Sequence, residues 1–175
     1  MPIGNWSVYP KIIQGTLSTQ PTSVLDIGIG FGMNGCMVRN WMDLGVQPFK
    51  TKLIGVEVFE DYRNPAWDLY DEVLLGDVMT MCLPEVDFIL MTDVLEHFTL
   101  EDGHILLQRL KDKAKKAVIV STPNVWMEQG AMYGNDYETH RSLWNQFEFI
   151  KAGYNTVHYG VDEFGHNVLI ADYIR

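Results

Sequence analysis

The chain has 175 residues, of which 47% are hydrophobic and 21% are charged. This composition indicates a globular protein long enough to bury a substantial core in one domain. The formal charge of −10 disfavours nucleic acid as a partner. We expect no signal peptide and no membrane association, because no apolar run reaches about 18 residues. Cys36 and Cys82 follow no metal-binding pattern, so we predict free thiols, no metal site and a cytoplasmic location.

Hydrophobic periodicity predicts strands that alternate with helices. The N-terminal segment, residues 1–22, is expected to hold one short amphipathic helix that packs on the sheet or covers a ligand. Five buried strands are predicted, at 23–27, 52–58, 72–75, 86–91 and 117–121. Helices are predicted at 33–42, 100–113 and 143–152, and an ordered loop at 125–139. Two final strands, 154–159 and 167–174, flank a turn at Asp162-Glu163-Phe164-Gly165.

The order of these elements indicates the fold class. Short apolar strands that alternate with helices favour a mostly parallel sheet covered on both faces. The two final strands have no helix between them, which favours an antiparallel hairpin at one edge. The prediction is an α/β fold with a seven-stranded, mostly parallel, doubly wound (Rossmann-like) sheet and a C-terminal antiparallel hairpin. Residues 1–175 are predicted to form a single domain.

The stretch Val24-Leu25-Asp26-Ile27-Gly28-Ile29-Gly30-Phe31-Gly32 predicts a ligand site. A buried strand, alternating glycines and a following helix bring backbone amides and a helix N-terminus towards a polar ligand. The spacing also fits a dinucleotide-binding loop, which is a weak signal by itself. Asp26, however, would repel a pyrophosphate, whereas a ligand with an ammonium and a sulfonium group would compensate its burial.

With these residues the sequence resembles the class I S-adenosylmethionine-dependent methyltransferases. Their first motif has an acidic residue, one further residue and then Gly-x-Gly-x-Gly, which matches Asp26 and Gly28-Ile29-Gly30-Phe31-Gly32. Their second strand ends in an acid that binds both ribose hydroxyls, matched by Glu57 in Gly55-Val56-Glu57-Val58. An acid near the adenine amino group is matched by Asp77 in Leu75-Gly76-Asp77-Val78.

The resemblance continues to the later part of the chain and covers nearly all of it from Ser23 onward. The fourth motif matches Val86 to Met91 followed by Asp93-Val94-Leu95-Glu96-His97. Its Val-Leu-Glu-His tetrad is typical of the branch that acts on small molecules. Ser121-Thr122-Pro123-Asn124 and His140-Arg141-Ser142-Leu143-Trp144 also look like that branch.

The resemblance implies that S-adenosyl-L-methionine is the cofactor. The residues expected to contact it are Asp26, Gly28, Gly30, Gly32, Glu57, Val58, Asp77, Val78 and Asp93. The chemistry agrees, because a carboxylate suits a vicinal diol and an acceptor suits the adenine amine. Structural alternatives stay open: Asp26 bound to nearby backbone amides, Glu57 as a solvated strand end, Asp77 as a turn residue, and Asp93 as the N-cap of a short helix.

The implied reaction is methyl transfer to a small-molecule acceptor by in-line displacement. If the acceptor is a hydroxyl, His97 or His140 is the candidate general base, because imidazole titrates near neutral pH. An amine or a thiolate needs no base. A cover over the substrate is expected from the N-terminal segment and from residues 125–141, with Trp126, Met127, Met132, Tyr133 and Tyr137.

Three alternative functions remain. One is a partner or regulatory subunit that binds the cofactor without catalysis. Another is a nicotinamide-dependent oxidoreductase, which would carry a Tyr-x-x-x-Lys pair that this chain lacks. A nucleic-acid methyltransferase would have an Asn/Asp-Pro-Pro-aromatic motif after the fourth strand, where this chain has Thr92-Asp93-Val94-Leu95.

Overall fold

The computed structural model of the chain describes residues 4–161 and 165–175. The strands are β1 (Ser23–Ile27), β2 (Lys52–Glu57), β3 (Glu72–Leu75), β4 (Val86–Thr92), β5 (Ala114–Pro123), β6 (Thr156–Val161) and β7 (Asn167–Ile174). The α-helices are α1 (Tyr9–Thr19), α2 (Met33–Met42), α3 (Leu100–Lys113) and α4 (Gln146–Lys151). Short 3-10 helices lie at Trp6–Val8, Glu60–Tyr62, Pro65–Leu69, Leu95–His97 and Asp136–Glu138.

The strands form a seven-stranded sheet in the order β3-β2-β1-β4-β5-β7-β6. The first five are parallel, and β7 runs antiparallel to both β5 and β6. This arrangement confirms the predicted fold class. The chain passes from β1 outward to β2 and β3 and then returns to place β4 on the other side of β1. A crevice therefore opens at the carboxyl ends of β1 and β4, where open α/β sheets bind ligands.

Each face of the sheet has its own hydrophobic core. Along β4, Phe88 and Leu90 point to one face, whereas Ile89 and Met91 point to the other, as the two-residue period of a strand requires. The first face is covered by α1 and α2 and the second by α3 and α4. Apolar side chains on both faces explain why the central strands are nearly continuous hydrophobic runs.

The N-terminal segment packs on the sheet through α1, whose Ile12 is buried. Gly15 allows the close approach, because a Cβ there would lie 2.8 Å from the Ile119 side chain and 3.0 Å from Phe88. Before α1, the segment lies at the carboxyl edge of the sheet, where the backbone N–H of Asn5 donates to the carboxylate of Asp93.

Some predicted boundaries differ from the structure. Helix α4 begins after the expected residue 143, because the Asn145 side chain caps it by accepting from the N–H groups of Phe147 and Glu148. Strand β6 begins two residues later than predicted, since Tyr154 turns into the core instead. Residues 162–164 of the predicted turn lie outside the described residues. Within the described ranges, no helix has the length and apolarity needed to cross a membrane.

Candidate functional site

A cleft of about 810 Å³ opens at the carboxyl edge of the sheet. Most of the predicted ligand-binding residues border it: Gly28, Gly30, Glu57, Val58, Asp77, Val78, Asp93 and His97. The segment after β5, residues 124–145, covers one side and is called the cover loop below. It contributes Asn135, Tyr137 and Glu138 to the lining.

The glycine loop after β1 has a backbone that few side chains tolerate. Gly28, Gly30 and Gly32 have φ values of 70°, 49° and 85°, in the left-handed region that favours glycine. A Cβ on Gly28 would lie only 2.3 Å from Val94 Cγ2. Gly32 does not border the cleft but forms the N-cap of α2. The glycines therefore allow a tight turn and a close approach of the backbone to whatever fills the cleft.

Glu57, at the end of β2, joins two parts of the site. Its Oε2 accepts from the Gly30 N–H at 2.9 Å, and its Oε1 accepts from the N–H groups of Val58 and Phe59 at 2.9 and 3.0 Å. Burial raises the pKa of Glu57, and these three amides oppose that rise. In this conformation Oε2 keeps one acceptor position, since a carboxylate oxygen has two lone pairs.

Asp77 forms the turn that was considered for it and also borders the cleft. Its Oδ1 accepts from the Met79 N–H at 2.8 Å, and its carbonyl accepts from Thr80 and Met81, which makes a turn after β3. None of the described residues donates to its other carboxylate oxygen. Because Asp77 also borders the cleft, the turn leaves one acceptor for a ligand.

Asp26 is a correction to the sequence analysis, which predicted a ligand contact. It is fully buried and does not border the cleft. Asn34 Nδ2 donates to its Oδ1 at 3.0 Å and the Tyr70 hydroxyl donates to its Oδ2 at 2.6 Å. Burial raises the pKa of Asp26 to about 6, against the effect of these hydrogen bonds. Asp26 therefore connects β1 to α2 and to the segment before β3, immediately before the glycine loop.

Asp93 follows β4 with a φ of 53°, unusual for a residue with a side chain. The Ser121 hydroxyl donates to its Oδ1 at 3.0 Å, and Asn5 donates to its Oδ2. The 3-10 helix after it is capped by Val94 without a side-chain hydrogen bond. The alternative of Asp93 as an N-cap is therefore wrong. Its left-handed backbone places a carboxylate at the border of the cleft, next to the N-terminal segment.

His97 and His140, the predicted catalytic residues, lie together although they are far apart in the sequence. Their ring centroids are 5.1 Å apart, and His97 borders the cleft. Burial, partly offset by nearby Glu138, lowers the pKa of His97 to about 4. Burial also lowers the pKa of His140. Both imidazoles are therefore neutral at pH 7.

The structure adds site residues that sequence reasoning did not select. Glu96 is only 3% exposed and lies beside the two histidines. Burial, together with the nearby Asp93 carboxylate, raises the pKa of Glu96 to about 8. The cover loop adds Glu138, whose carboxylate accepts from the Tyr62 hydroxyl at 2.9 Å. The Val-Leu-Glu-His tetrad, which contains Glu96, was a sequence signal for that residue. No local pattern in the sequence connected Tyr62 to Glu138.

The aromatic residues of the cover loop have different positions. The Tyr133 ring packs edge-on against Phe31 and Tyr62, and Tyr137 borders the cleft. Trp126 is 55% exposed. Tyr133 therefore connects the loop to the glycine loop and to the segment after β2, and Tyr137 lies beside the cleft; a cover over the substrate stays a prediction.

No family model and no curated protein matches the chain. Solved structures do match. An O-methyltransferase family protein from Burkholderia thailandensis aligns with a TM-score of 0.65 at 12% identity, over 95% of this chain and 55% of that one. Magnesium protoporphyrin IX methyltransferase from Synechocystis PCC 6803 with bound SAH aligns with a TM-score of 0.67 at 12% identity, over 96% and 82%. The chain has the methyltransferase fold.

A third structure with this methyltransferase fold is 1,6-didemethyltoxoflavin-N1-methyltransferase from Burkholderia thailandensis. It was determined with S-adenosylhomocysteine and aligns with a TM-score of 0.70 at 14% identity, over 95% of this chain and 76% of that one. The chain spans about half the length of the Burkholderia O-methyltransferase family protein. At these identities the comparison establishes the fold alone.

Proposed function

We propose that this chain binds S-adenosylmethionine and transfers its methyl group to a small molecule by in-line displacement. The observation that carries the proposal is the Glu57 carboxylate, held by three backbone amides at the border of a glycine-lined cleft. The methyltransferase fold supports it, as does the presence of SAH or S-adenosylhomocysteine in structures that share this fold.

The residues around the cleft fit the adenosine half of this cofactor. Glu57 Oε2 has one acceptor position for a ribose hydroxyl, and the remaining carboxylate oxygen of Asp77 suits the adenine amine. Val58 and Val78 border the same end of the cleft and offer apolar surface to the base. A bulky residue at Gly28 would fill space between the glycine loop and Val94. Only one ribose hydroxyl is accommodated by Glu57 as it stands, rather than the two expected from the sequence.

The other end of the cleft, after β4, fits a positively charged group and an acceptor. When bound, S-adenosylmethionine supplies an electrophilic methyl group on sulfur, and transfer leaves the electron pair of the broken carbon–sulfur bond on that sulfur. The carboxylate of Asp93 borders this end and favours positive charge. The chain's main task is to hold the acceptor in line, since orientation supplies on the order of 7–11 kcal/mol in such reactions.

His97 and His140 are the proposed proton acceptors for a hydroxyl substrate. Their neutral imidazoles can take up a proton at pH 7. A pKa of about 4 makes His97 a weak base in the free protein, because the efficiency of proton transfer follows basicity. An amine acceptor would need neither residue. A small acceptor is favoured over nucleic acid by the formal charge of −10, which repels phosphate groups.

The proposal is tested by ligand binding. Thermal unfolding should shift upward with S-adenosylhomocysteine and not with NAD, because a ligand at 100 times its Kd stabilises the folded state by about 2.7 kcal/mol. Stabilisation by NAD alone would overturn the proposal. Transfer of a labelled methyl group to a panel of small hydroxyl, amine and thiol acceptors then tests catalysis. Binding without transfer to any of them would favour a non-catalytic partner subunit.

A further inference from the structure

Three side chains able to ligate a metal converge at the end of the cleft after β4. One ligand atom from each of Glu96, His97 and His140 lies within 4.8 Å of the other two. The sequence predicted no metal site, because its two cysteines follow no metal-binding pattern and have no nearby histidine at ligand spacing. The fold of the cover loop brings them together.

The backbone holds this cluster in place. The N–H groups of Arg141 and Ser142 both donate to the carbonyl of Glu96, at 2.8 and 3.1 Å. The Arg141 guanidinium also donates to the carbonyl of His97 at 2.8 Å. These three bonds attach the segment that carries His140 to the 3-10 helix that carries Glu96 and His97. The convergence is therefore a built feature and does not depend on one rotamer.

The hydrogen bonds of the two imidazoles leave their Nε2 atoms as ligands. His97 Nδ1 lies 3.3 Å from the Thr139 carbonyl oxygen, and His140 Nδ1 lies 2.7 Å from the Met127 carbonyl oxygen. A carbonyl only accepts, so each Nδ1 carries the proton and each Nε2 presents a lone pair. An imidazole whose other nitrogen donates to a backbone carbonyl is the usual arrangement around a protein-bound metal.

The carboxylate of Glu96 gives an independent indication. It is buried, and its hydrogen bonds are with neutral groups: the Thr122 hydroxyl donates to Oε2 at 3.0 Å, and its own backbone N–H donates to the carboxylate. No lysine or arginine in the described ranges forms an ion pair with it. In its ionised form, a buried carboxylate without a cationic partner is costly. A metal cation would compensate the cost of that form.

We propose that Glu96, His97 and His140 bind a divalent transition-metal cation, which holds the hydroxyl oxygen of the acceptor in the cleft. The second half of this inference rests on the proposed function, with one change: when the metal is bound, His97 and His140 are its ligands and no longer the proton acceptors. Two imidazoles and one carboxylate form a donor set for zinc, manganese or iron, and they leave coordination positions open. Magnesium and calcium prefer oxygen ligands throughout. Because His97 borders the cleft, we expect an open position on the His97 side of the metal to reach the acceptor. A metal that holds the acceptor's oxygen narrows the proposed methyl acceptors to hydroxyl compounds.

The geometry needs only a small adjustment. Ligands about 2.1 Å from a tetrahedral cation lie about 3.4 Å apart, so the widest separation in the cluster must close by roughly 1 Å. Rotation of the imidazoles about their side-chain bonds provides such a movement. The backbone bonds described above are unaffected by it.

Metal binding is tested on the full chain after removal of metals with a chelator. Titration with Co²⁺, followed by its visible absorption, should show saturable binding of one ion per chain. His140→Gln should weaken binding at least tenfold, and so should Glu96→Gln if it folds. His104→Gln is the matched control, because His104 pairs with Glu148 at 2.6 Å on the outer surface, and it should bind Co²⁺ as the parent does. Circular dichroism checks that each variant is folded.

Several outcomes would overturn the inference. Absence of saturable Co²⁺ binding, or equal affinity in the folded His140→Gln variant, would leave the cluster as a hydrogen-bonded group only. Catechol, used as a hydroxyl probe, should alter the absorption of the bound Co²⁺, and an unchanged spectrum would refute the role in holding the acceptor. Calorimetry with S-adenosylhomocysteine on the metal-free chain separates the two proposals. If that ligand does not bind, the proposed function fails, while the Co²⁺ titration still decides the metal site.

Discussion

Replacement of Gly28 with alanine should lower the free energy of unfolding through two separable effects. An L side chain at the observed φ of 70° costs about 1–2 kcal/mol. The new Cβ would lie 2.3 Å from Val94 Cγ2, and such overpacking costs about 1–3 kcal/mol. Restriction of the unfolded chain offsets about 0.4–1 kcal/mol. The expected net loss is therefore about 1–5 kcal/mol.

A matched variant isolates the backbone effect. Gly134 has a φ of 81°, and no atom lies within 4 Å of the position that a Cβ would take there, so Gly134→Ala reports the cost of the left-handed backbone alone. Urea unfolding followed by circular dichroism measures both variants, and each kcal/mol corresponds to about 2–4 °C in Tm for a chain of this size. Gly28→Ala should be the more destabilised of the two by about 1–3 kcal/mol.

A double-mutant cycle isolates the steric effect. Val94→Ala removes Cγ2, so Gly28→Ala should cost less in that background than in the parent chain. We expect a coupling free energy of at least about 1 kcal/mol in the relieving direction. Zero coupling, or equal loss in Gly28→Ala and Gly134→Ala, would refute the claim that contact with Val94 requires glycine at this position.

Three further predictions concern the charged and hydroxyl groups of the site. Glu57→Gln should raise the Kd for S-adenosylhomocysteine at least tenfold in calorimetry, which corresponds to about 1.4 kcal/mol. The control Glu60→Gln changes an exposed position and should leave the Kd unchanged. Equal affinities of the two variants would contradict the ribose contact. The pKa of Glu96 is raised to about 8 in the folded chain, so between pH 6.5 and 8 the unfolded chain binds fewer protons than the folded chain. The free energy of unfolding in metal-free buffer should therefore fall by on the order of 2 kcal/mol over this range. Denaturation at both pH values should show less of this fall in Glu96→Gln, and an identical fall would disprove the assignment. Tyr62→Phe removes a hydrogen-bond donor from the buried Glu138 carboxylate and should lower the free energy of unfolding by about 1–3 kcal/mol. The control Tyr159→Phe, at an exposed position, should change it negligibly. Equal losses would show that the Tyr62 hydroxyl is not needed there.

Local sequence features determined the framework of this protein. The continuous apolar run of β4 and the glycine-rich turn after β1 depend only on neighbouring residues, so the α/β class, the parallel strands and the C-terminal hairpin could be predicted. The position of Glu57 at a strand end also follows from local pattern, because a strand that runs into a crevice presents its last side chain there. Boundaries such as the start of α4 were less accurate, since they depend on a cap at Asn145.

Only the tertiary structure decided how the polar side chains of the site are partnered. Asp26 had the right spacing for a ligand contact, but it is fully buried, bonded to Asn34 and Tyr70, and does not border the cleft. The cluster of Glu96, His97 and His140 depends on a loop that returns to a 3-10 helix from a distant part of the chain. Such contacts are set by how long segments cross the sheet edge, and no short spacing in the sequence encodes them.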